Sequence, residues 1–383
     1  MLPDPYDLDD AGLAALLEGE PAYRVRQVRA WLARGVDDPA AMTDLPRVLR
    51  ERLAARLAPP PPILRRSVAD DGLTHKILLG YGSDSPEAEA VEAVLMLYPR
   101  TRRRRARATV CISTQAGCAM GCPFCATGQA GFRRQLSLGE IVRQVTVAQR
   151  LLRSGELDAP VRVDHVSNVV FMGMGEPLAN LEATLAAVRW LADPAGFGLS
   201  ARSITVSTVG LVPGIRRLTA LRLPITLAVS LHAPDDALRD ELVPINRAHP
   251  LDELLDACAE YKAVTGRRLT FEYILIDGIN DRLDQAEALA DLVRRCPAHV
   301  NLIPMNPTPA VPWRAPPRER QRAFQRVLTD AGVAATIRHN RGGRIDAACG
   351  QLYADYAIAS GRRLPAAVGA AERVAALTSR AVS

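Results

Sequence analysis

From residue 108 onward the chain alternates short apolar runs rich in β-branched residues with amphipathic stretches, and this alternation limits the fold more than any other feature. Strands are predicted over 108–113, 168–174, 203–207, 225–231, 269–276 and 299–304, with a further short run at 335–339. Helices are predicted between them, over 138–152, 181–191, 212–220, 251–264, 285–295 and 318–330. Ser137 and Glu140 have the spacing of a capping box at the start of the first of these. Strand, helix and strand in succession require parallel pairing through right-handed crossovers, hence an α/β fold with an open or closed barrel. Such barrels present reactive groups at the C-terminal ends of their strands.

Upstream, apolar positions at three- and four-residue steps predict short helices over 8–17, 23–34 and 44–57, ended by the run Pro59-Pro-Pro-Pro62. Two strands, 74–79 and 91–98, flank a turn-rich segment and read as a hairpin. The expected organisation is a small helical module with a hairpin over 1–98, a barrel core over 99–360, and a tail over 361–383 that is a helix candidate.

Composition narrows the function classes. Of 383 residues 48% are apolar and 23% charged, which excludes a mainly disordered chain. No apolar run approaches the roughly 20 residues of a membrane helix, and the acidic start is unlike a signal peptide, so a cytoplasmic protein without a membrane partner is expected. The net charge of +6 is compatible with nucleic acid but does not identify it. Only Lys76 and Lys262 are lysines among 48 basic residues, and so uniform a preference for arginine reads first as compositional bias. Arg100, the run Arg102–Arg105 and Arg107, and Arg338, Arg341 and Arg344 near the C-terminal Cys349, are candidate phosphate contacts.

Seven cysteines are present, and three of them fall in Cys118-Ala-Met-Gly-Cys122-Pro-Phe-Cys125, just after the first predicted barrel strand. Three thiolates on one loop suit three corners of an iron-sulfur cube and leave the fourth iron without a protein ligand. A zinc site is the alternative, although closed structural zinc takes four ligands and no obvious fourth lies nearby in sequence. Cys258 and Cys296 fall in predicted helices and are assigned to packing.

Further motifs follow in order: Gln115-Ala-Gly-Cys118, Cys125-Ala-Thr-Gly-Gln-Ala-Gly-Phe132, Phe171-Met-Gly-Met-Gly-Glu-Pro177, Asn301-Leu-Ile-Pro-Met-Asn-Pro307 and Asp346-Ala-Ala-Cys-Gly-Gln-Leu352. Together with the cysteine triplet they resemble the RlmN/Cfr family of radical SAM RNA adenine methyltransferases, and its RlmN branch in particular. The resemblance covers nearly the whole chain. It implies a partial (β/α)6-type radical SAM barrel, a 4Fe-4S cluster on Cys118, Cys122 and Cys125, and S-adenosylmethionine (SAM), two molecules per turnover. It implies SAM contacts at Gly175, Glu176, Ser207, Ser230, Leu231, His232 and Asn306. It also implies that Cys349 carries a methyl group, that Cys111 resolves the adduct by forming a disulfide, and that Glu92 is the general base. The implied substrates are 23S rRNA and tRNA, contacted in part by residues 1–98. The implied electron donor is a flavodoxin or ferredoxin, and the expected state is a monomer. Arg344 stands beside Ile345 where the family usually has an acidic residue. A Cfr-like enzyme acting on C8, a zinc-bearing RNA-binding protein without catalysis, and a radical enzyme for a small molecule remain as alternatives.

Overall fold

The computed structural model describes residues 2–81, 89–102, 104–338 and 341–352. The expected tail over 361–383 and part of the hairpin turn lie outside the described residues.

Strands in chain order are β1 (Ile63–Ala69), β2 (Thr74–Tyr81), β3 (Glu89–Tyr98), β4 (Arg107–Cys111), β5 (Gln115–Gly117) and β6 (Phe132–Gln135). They continue with β7 (Val166–Phe171), β8 (Ile204–Thr208), β9 (Thr226–Ser230), β10 (Leu269–Leu275), β11 (His299–Pro304) and β12 (Ala335–Ile337). The helices are α1 (Asp10–Leu16), α2 (Tyr23–Ala33), α3 (Arg47–Arg56), α4 (Ala126–Gln129), α5 (Leu138–Ser154) and α6 (Leu181–Ala192). After these come α7 (Val212–Leu221), α8 (Asp236–Leu242), α9 (Leu251–Thr265), α10 (Leu283–Arg295) and α11 (Arg318–Asp330). Backbone contacts divide the chain into two interleaved units, the first 1–114, 135–170 and 180–204, the second 115–134, 171–179 and 205–383.

In the first unit the strand order is β1-β2-β3-β4-β7, antiparallel from β1 to β4 and parallel between β4 and β7. The expected hairpin is therefore one part of a longer antiparallel meander. β1 escaped prediction because Arg65 and Arg66 interrupt its apolar alternation; an edge strand with a mostly exposed pattern tolerates such charges. The three N-terminal helices bury Leu13, Val28, Leu32, Leu49 and Leu53. The α5 capping box forms as predicted, with Glu140 N–H donating to Ser137 Oγ at 3.2 Å and Ser137 N–H to Glu140 Oε2 at 3.0 Å. Arg143 of α5 is buried, pairs with Asp4 at 2.6 Å, and donates to the carbonyls of Ala58 and Pro59. Burial pushes the Asp4 carboxyl up to about 6 against the opposing pull of Arg143.

In the second unit β8, β9, β10, β11 and β12 follow one another in a parallel sheet. All seven residues of β10 are buried, as a strand covered on both faces requires. Among the described residues no strand pairing closes a sheet into a ring, in keeping with a partial barrel. The ribbon β5–β6 and the helix α8 went unpredicted because each is too short to show a period.

Candidate active site

The cysteine loop is anchored at its base by the β5–β6 ribbon, where Cys118 N–H donates to Gly131 O at 3.0 Å. Gly117 adopts φ +75° there, and a Cβ would lie 1.9 Å from Gly131 O. A Gly117→Ala variant is expected to lose about 2–5 kcal/mol through strain and overlap, read as a lower thermal midpoint together with reduced iron retention.

Cys118, Cys122 and Cys125 line one pocket that encloses about 1010 Å3, its open mouth included. Gly175, Glu176, Ser207, Ser230, His232 and Cys349 line the same pocket. Burial pushes the Cys118 thiol up to about 12 and raises Cys122 and Cys125 too, with repulsion from Cys125 adding to the first two and repulsion from Cys349 to the third. Three desolvated thiols in one cavity suit a cationic partner, which binds the thiolates and releases their protons. Among the described residues no three His, Cys, Asp or Glu side chains close around a single ion. Three thiols lining one cavity have the donor set for three corners of an iron-sulfur cube.

Glu176 is buried, and burial raises its carboxyl to about 7. Its Oε1 accepts from Leu178 N–H at 2.9 Å and its Oε2 from Val209 N–H at 2.8 Å. The carboxylate expected to meet a ligand ammonium thus also fastens the loop after β8 to the loop after β7. Gly175, at φ +96°, packs its backbone against Gln115, whose Oε1 accepts from Glu176 N–H at 2.8 Å. His232 accepts from Ile274 N–H through Nδ1 at 3.0 Å, so Nε2 carries the proton of the neutral ring. Burial and the Arg239 charge depress its pKa to about 3, which keeps the ring neutral. Leu231 and Asn306 do not line the pocket. Leu231 is buried in the core, and Asn306 Nδ2 instead donates to Cys349 O at 3.0 Å.

The segment bearing Cys349 is tied directly to the cysteine loop. Ala126 N–H donates to Gly350 O at 2.7 Å and Thr127 Oγ1 to Leu352 O at 3.2 Å. Cys349 is exposed, whereas Cys258 and Cys296 are buried as expected. Sequence reasoning missed Glu272 at this pocket, where it accepts through Oε2 from Nη1 of Arg338, a residue read from sequence as a phosphate contact, at 3.3 Å. A lone carboxylate in the otherwise apolar run of β10 was the available signal.

Glu92 and Cys111 belong to the first unit. Cys111 of β4 pairs with Val94 of β3, and Glu92 lies two positions along β3, so both side chains emerge on one sheet face as diagonal neighbours. Lys76 of β2 also pairs with Val94, and its Nζ meets Glu92 Oε1 at 3.1 Å with both side chains buried. On the opposite face Val91, Ala93, Leu95 and Val110 are buried. Lys76→Met removes the cation 3.1 Å from the buried Glu92 carboxylate and is expected to cost about 3–5 kcal/mol in urea unfolding, most of it recovered when Glu92→Met is added.

The sequence is 54% identical over 343 residues to the probable dual-specificity RNA methyltransferase RlmN of Frankia casuarinae, covering 88% of this chain and 79% of that relative. The chain belongs to the RlmN family. Its RlmN relative from Moorella thermoacetica is 50% identical over 351 residues, 91% of this chain and 95% of the relative. A solved radical SAM methyltransferase from Sphaerobacter thermophilus matches with a TM-score of 0.84 at 48% identity, over 92% of this chain and 99% of that one. The profile of the Radical SAM superfamily matches residues 112–293, and that of the ribosomal RNA large subunit methyltransferase N-terminal domain matches 6–58. An RlmN-family chain is a radical SAM methyltransferase, a class that implies SAM and a 4Fe-4S cluster. Among the described residues no helix is long and apolar enough to cross a membrane.

Proposed function

We propose that this chain methylates C2 of a specific adenine in 23S rRNA and in tRNA through a methyl group carried on Cys349. The observation that carries the reading is the attachment of the Cys349 segment to the cysteine loop, with Cys349 and the three other thiols lining one pocket. C2 of adenine is an electron-poor carbon without a lone pair, so direct attack on a sulfonium methyl is closed to it.

Cys118, Cys122 and Cys125 hold the cluster, and Gly175, Glu176, Ser207, Ser230, Leu231, His232 and Asn306 form or support the SAM site. When bound, cluster and SAM supply a one-electron cleavage whose carbon radical removes a hydrogen atom from a methyl group. Cys349, exposed at the pocket, takes its methyl from one SAM by displacement at Sγ, a reaction suited to a thiolate. After hydrogen removal that carbon bonds to C2 of the base and tethers the RNA to the protein. Glu92 accepts the proton released from C2, and the unpaired electron left by the addition would return to the oxidised cluster held by Cys118, Cys122 and Cys125, which leaves an even-electron adduct. Cys111 then attacks Cys349 Sγ, forming the disulfide while the carbon departs with the electron pair and is protonated to a methyl group. Two SAM molecules are consumed per turnover.

Residues 1–98 contact the RNA, with arginines before β4 and near Cys349 holding phosphates; Arg107 itself stacks over the Tyr98 ring at 4.1 Å. A flavodoxin or ferredoxin supplies electrons to a cytoplasmic monomer. Nucleoside mass spectrometry of rRNA and tRNA from cells with and without the protein tests the reading. 2-Methyladenosine is expected in both pools only when the protein is present. 8-Methyladenosine would overturn the choice of carbon, and one zinc without iron or sulfide in anaerobically purified protein would overturn the chemistry.

A further inference from the structure

α8 carries an arginine with no exposed surface. Arg239 is fully buried, and its guanidinium is committed to four neutral acceptors. Nε donates to Leu231 O at 3.0 Å, and Nη2 to Val209 O at 2.6 Å and Ser230 O at 3.0 Å. Nη1 donates to Asn246 Oδ1 at 2.7 Å. Among the described residues Arg239 forms no ion pair with a carboxylate. Asp236 and Asp240 act only at a remove, each accepting from Asn246 Nδ2, at 2.9 and 2.6 Å. An ion buried without a counter-ion costs several kcal/mol, so this arrangement calls for a negative charge nearby.

The packing shows where that charge belongs. Leu238 and Leu242, which flank Arg239 on α8, sit in the same apolar cluster as Cys122 and Phe124. The carbonyls that hold the guanidinium belong to the loops after β8 and β9, which also present Val209, Ser230 and His232 to the cysteine-lined pocket. Burial lowers the Arg239 pKa only to about 10. At neutral pH the guanidinium therefore stays charged.

We propose that Arg239 is the buried counter-charge of the iron-sulfur cluster, fixed in place by the backbone of two strand ends. The inference rests on reading Cys118, Cys122 and Cys125 as cluster ligands. Three thiolates make the bound cluster anionic, and its one-electron reduction adds a further negative charge. A fixed cation in a low-dielectric surrounding favours the reduced form and raises the reduction potential. The neutral acceptors matter because a carboxylate partner would cancel that field.

The test is a redox titration of the reconstituted full chain without SAM, followed by electron paramagnetic resonance, with iron and sulfide counted beforehand. Arg239→Gln is expected to shift the midpoint to a more negative potential at unchanged iron content. Arg239→Lys, which keeps the charge, is expected to stay nearer the parent value. Asp240→Asn removes an opposing charge and is expected to shift the midpoint the other way, by less. An unmoved midpoint in iron-replete Arg239→Gln overturns the proposal. Should that variant fail to take up iron, Asp240→Asn decides: a positive shift supports the counter-charge, and none or a negative one overturns it. Absence of a cluster from the parent protein would instead overturn the ligand assignment.

Discussion

Protein carrying Cys111→Ala, recovered after incubation with RNA, SAM and reductant, is expected to hold RNA bonded covalently through Cys349. The proposed chemistry places formation of the carbon–carbon bond before release, and release requires a thiol to attack Cys349 Sγ. Without that thiol the adduct has no route to product. Cys111 lies at the end of β4 and is nearly buried, so truncation removes one sulfur from a packed position at a cost of about 1–2 kcal/mol, too little to unfold the chain. Nuclease digestion followed by peptide mass spectrometry should find the base on the peptide containing Cys349. Cys111→Ala combined with Cys349→Ala should show no adduct. If the single variant turns over normally, Cys111 is not the resolving thiol.

The second large effect concerns the cluster ligands. Cys122→Ala is expected to abolish stable iron binding and reduce methyl transfer to background, a loss on the order of 10⁶-fold or more given usual enzymatic rate enhancements. Cys122 is buried among Phe124, Leu242 and Met305, an apolar setting that accepts alanine without an unpaired polar group. The metal-free variant should therefore melt within a few degrees of the metal-free parent. Cys258→Ala is the control, because Cys258 is fully buried in α9, with burial raising its thiol and Cys296 reinforcing the shift. It should keep both iron and activity. Full iron content in Cys122→Ala would remove that residue from the ligand set.

Local chemistry made most of the alternating strands and helices legible. The α5 capping box, the apolar runs of β8 to β11 and the periods of α7, α9, α10 and α11 each lie within a few residues of sequence, and the structure follows them closely. The cysteine triplet was legible for the same reason, since one short loop carries all three thiols. β1 was not, because its charges suit an edge that only the assembled sheet defines. Glu92 entered through resemblance alone; nothing in its neighbourhood along the chain announces the buried partner Lys76, sixteen residues before it in a different strand, or the diagonal approach to Cys111. Arg239 was passed over as one arginine among many, because sequence does not show that its acceptors are carbonyls from two other strand ends.

The sequence by itself determined the alternating α/β order and the loop that concentrates three sulfur donors, because these are properties of near neighbours in the chain. Only the tertiary structure decided that the Cys349 segment hydrogen-bonds to the cysteine loop across 225 residues, that Glu92 is paired with Lys76, and that Arg239 is enclosed by carbonyls of two strand ends. Those outcomes depend on strand register and on which buried polar groups find partners, and both are settled by packing between segments far apart in sequence.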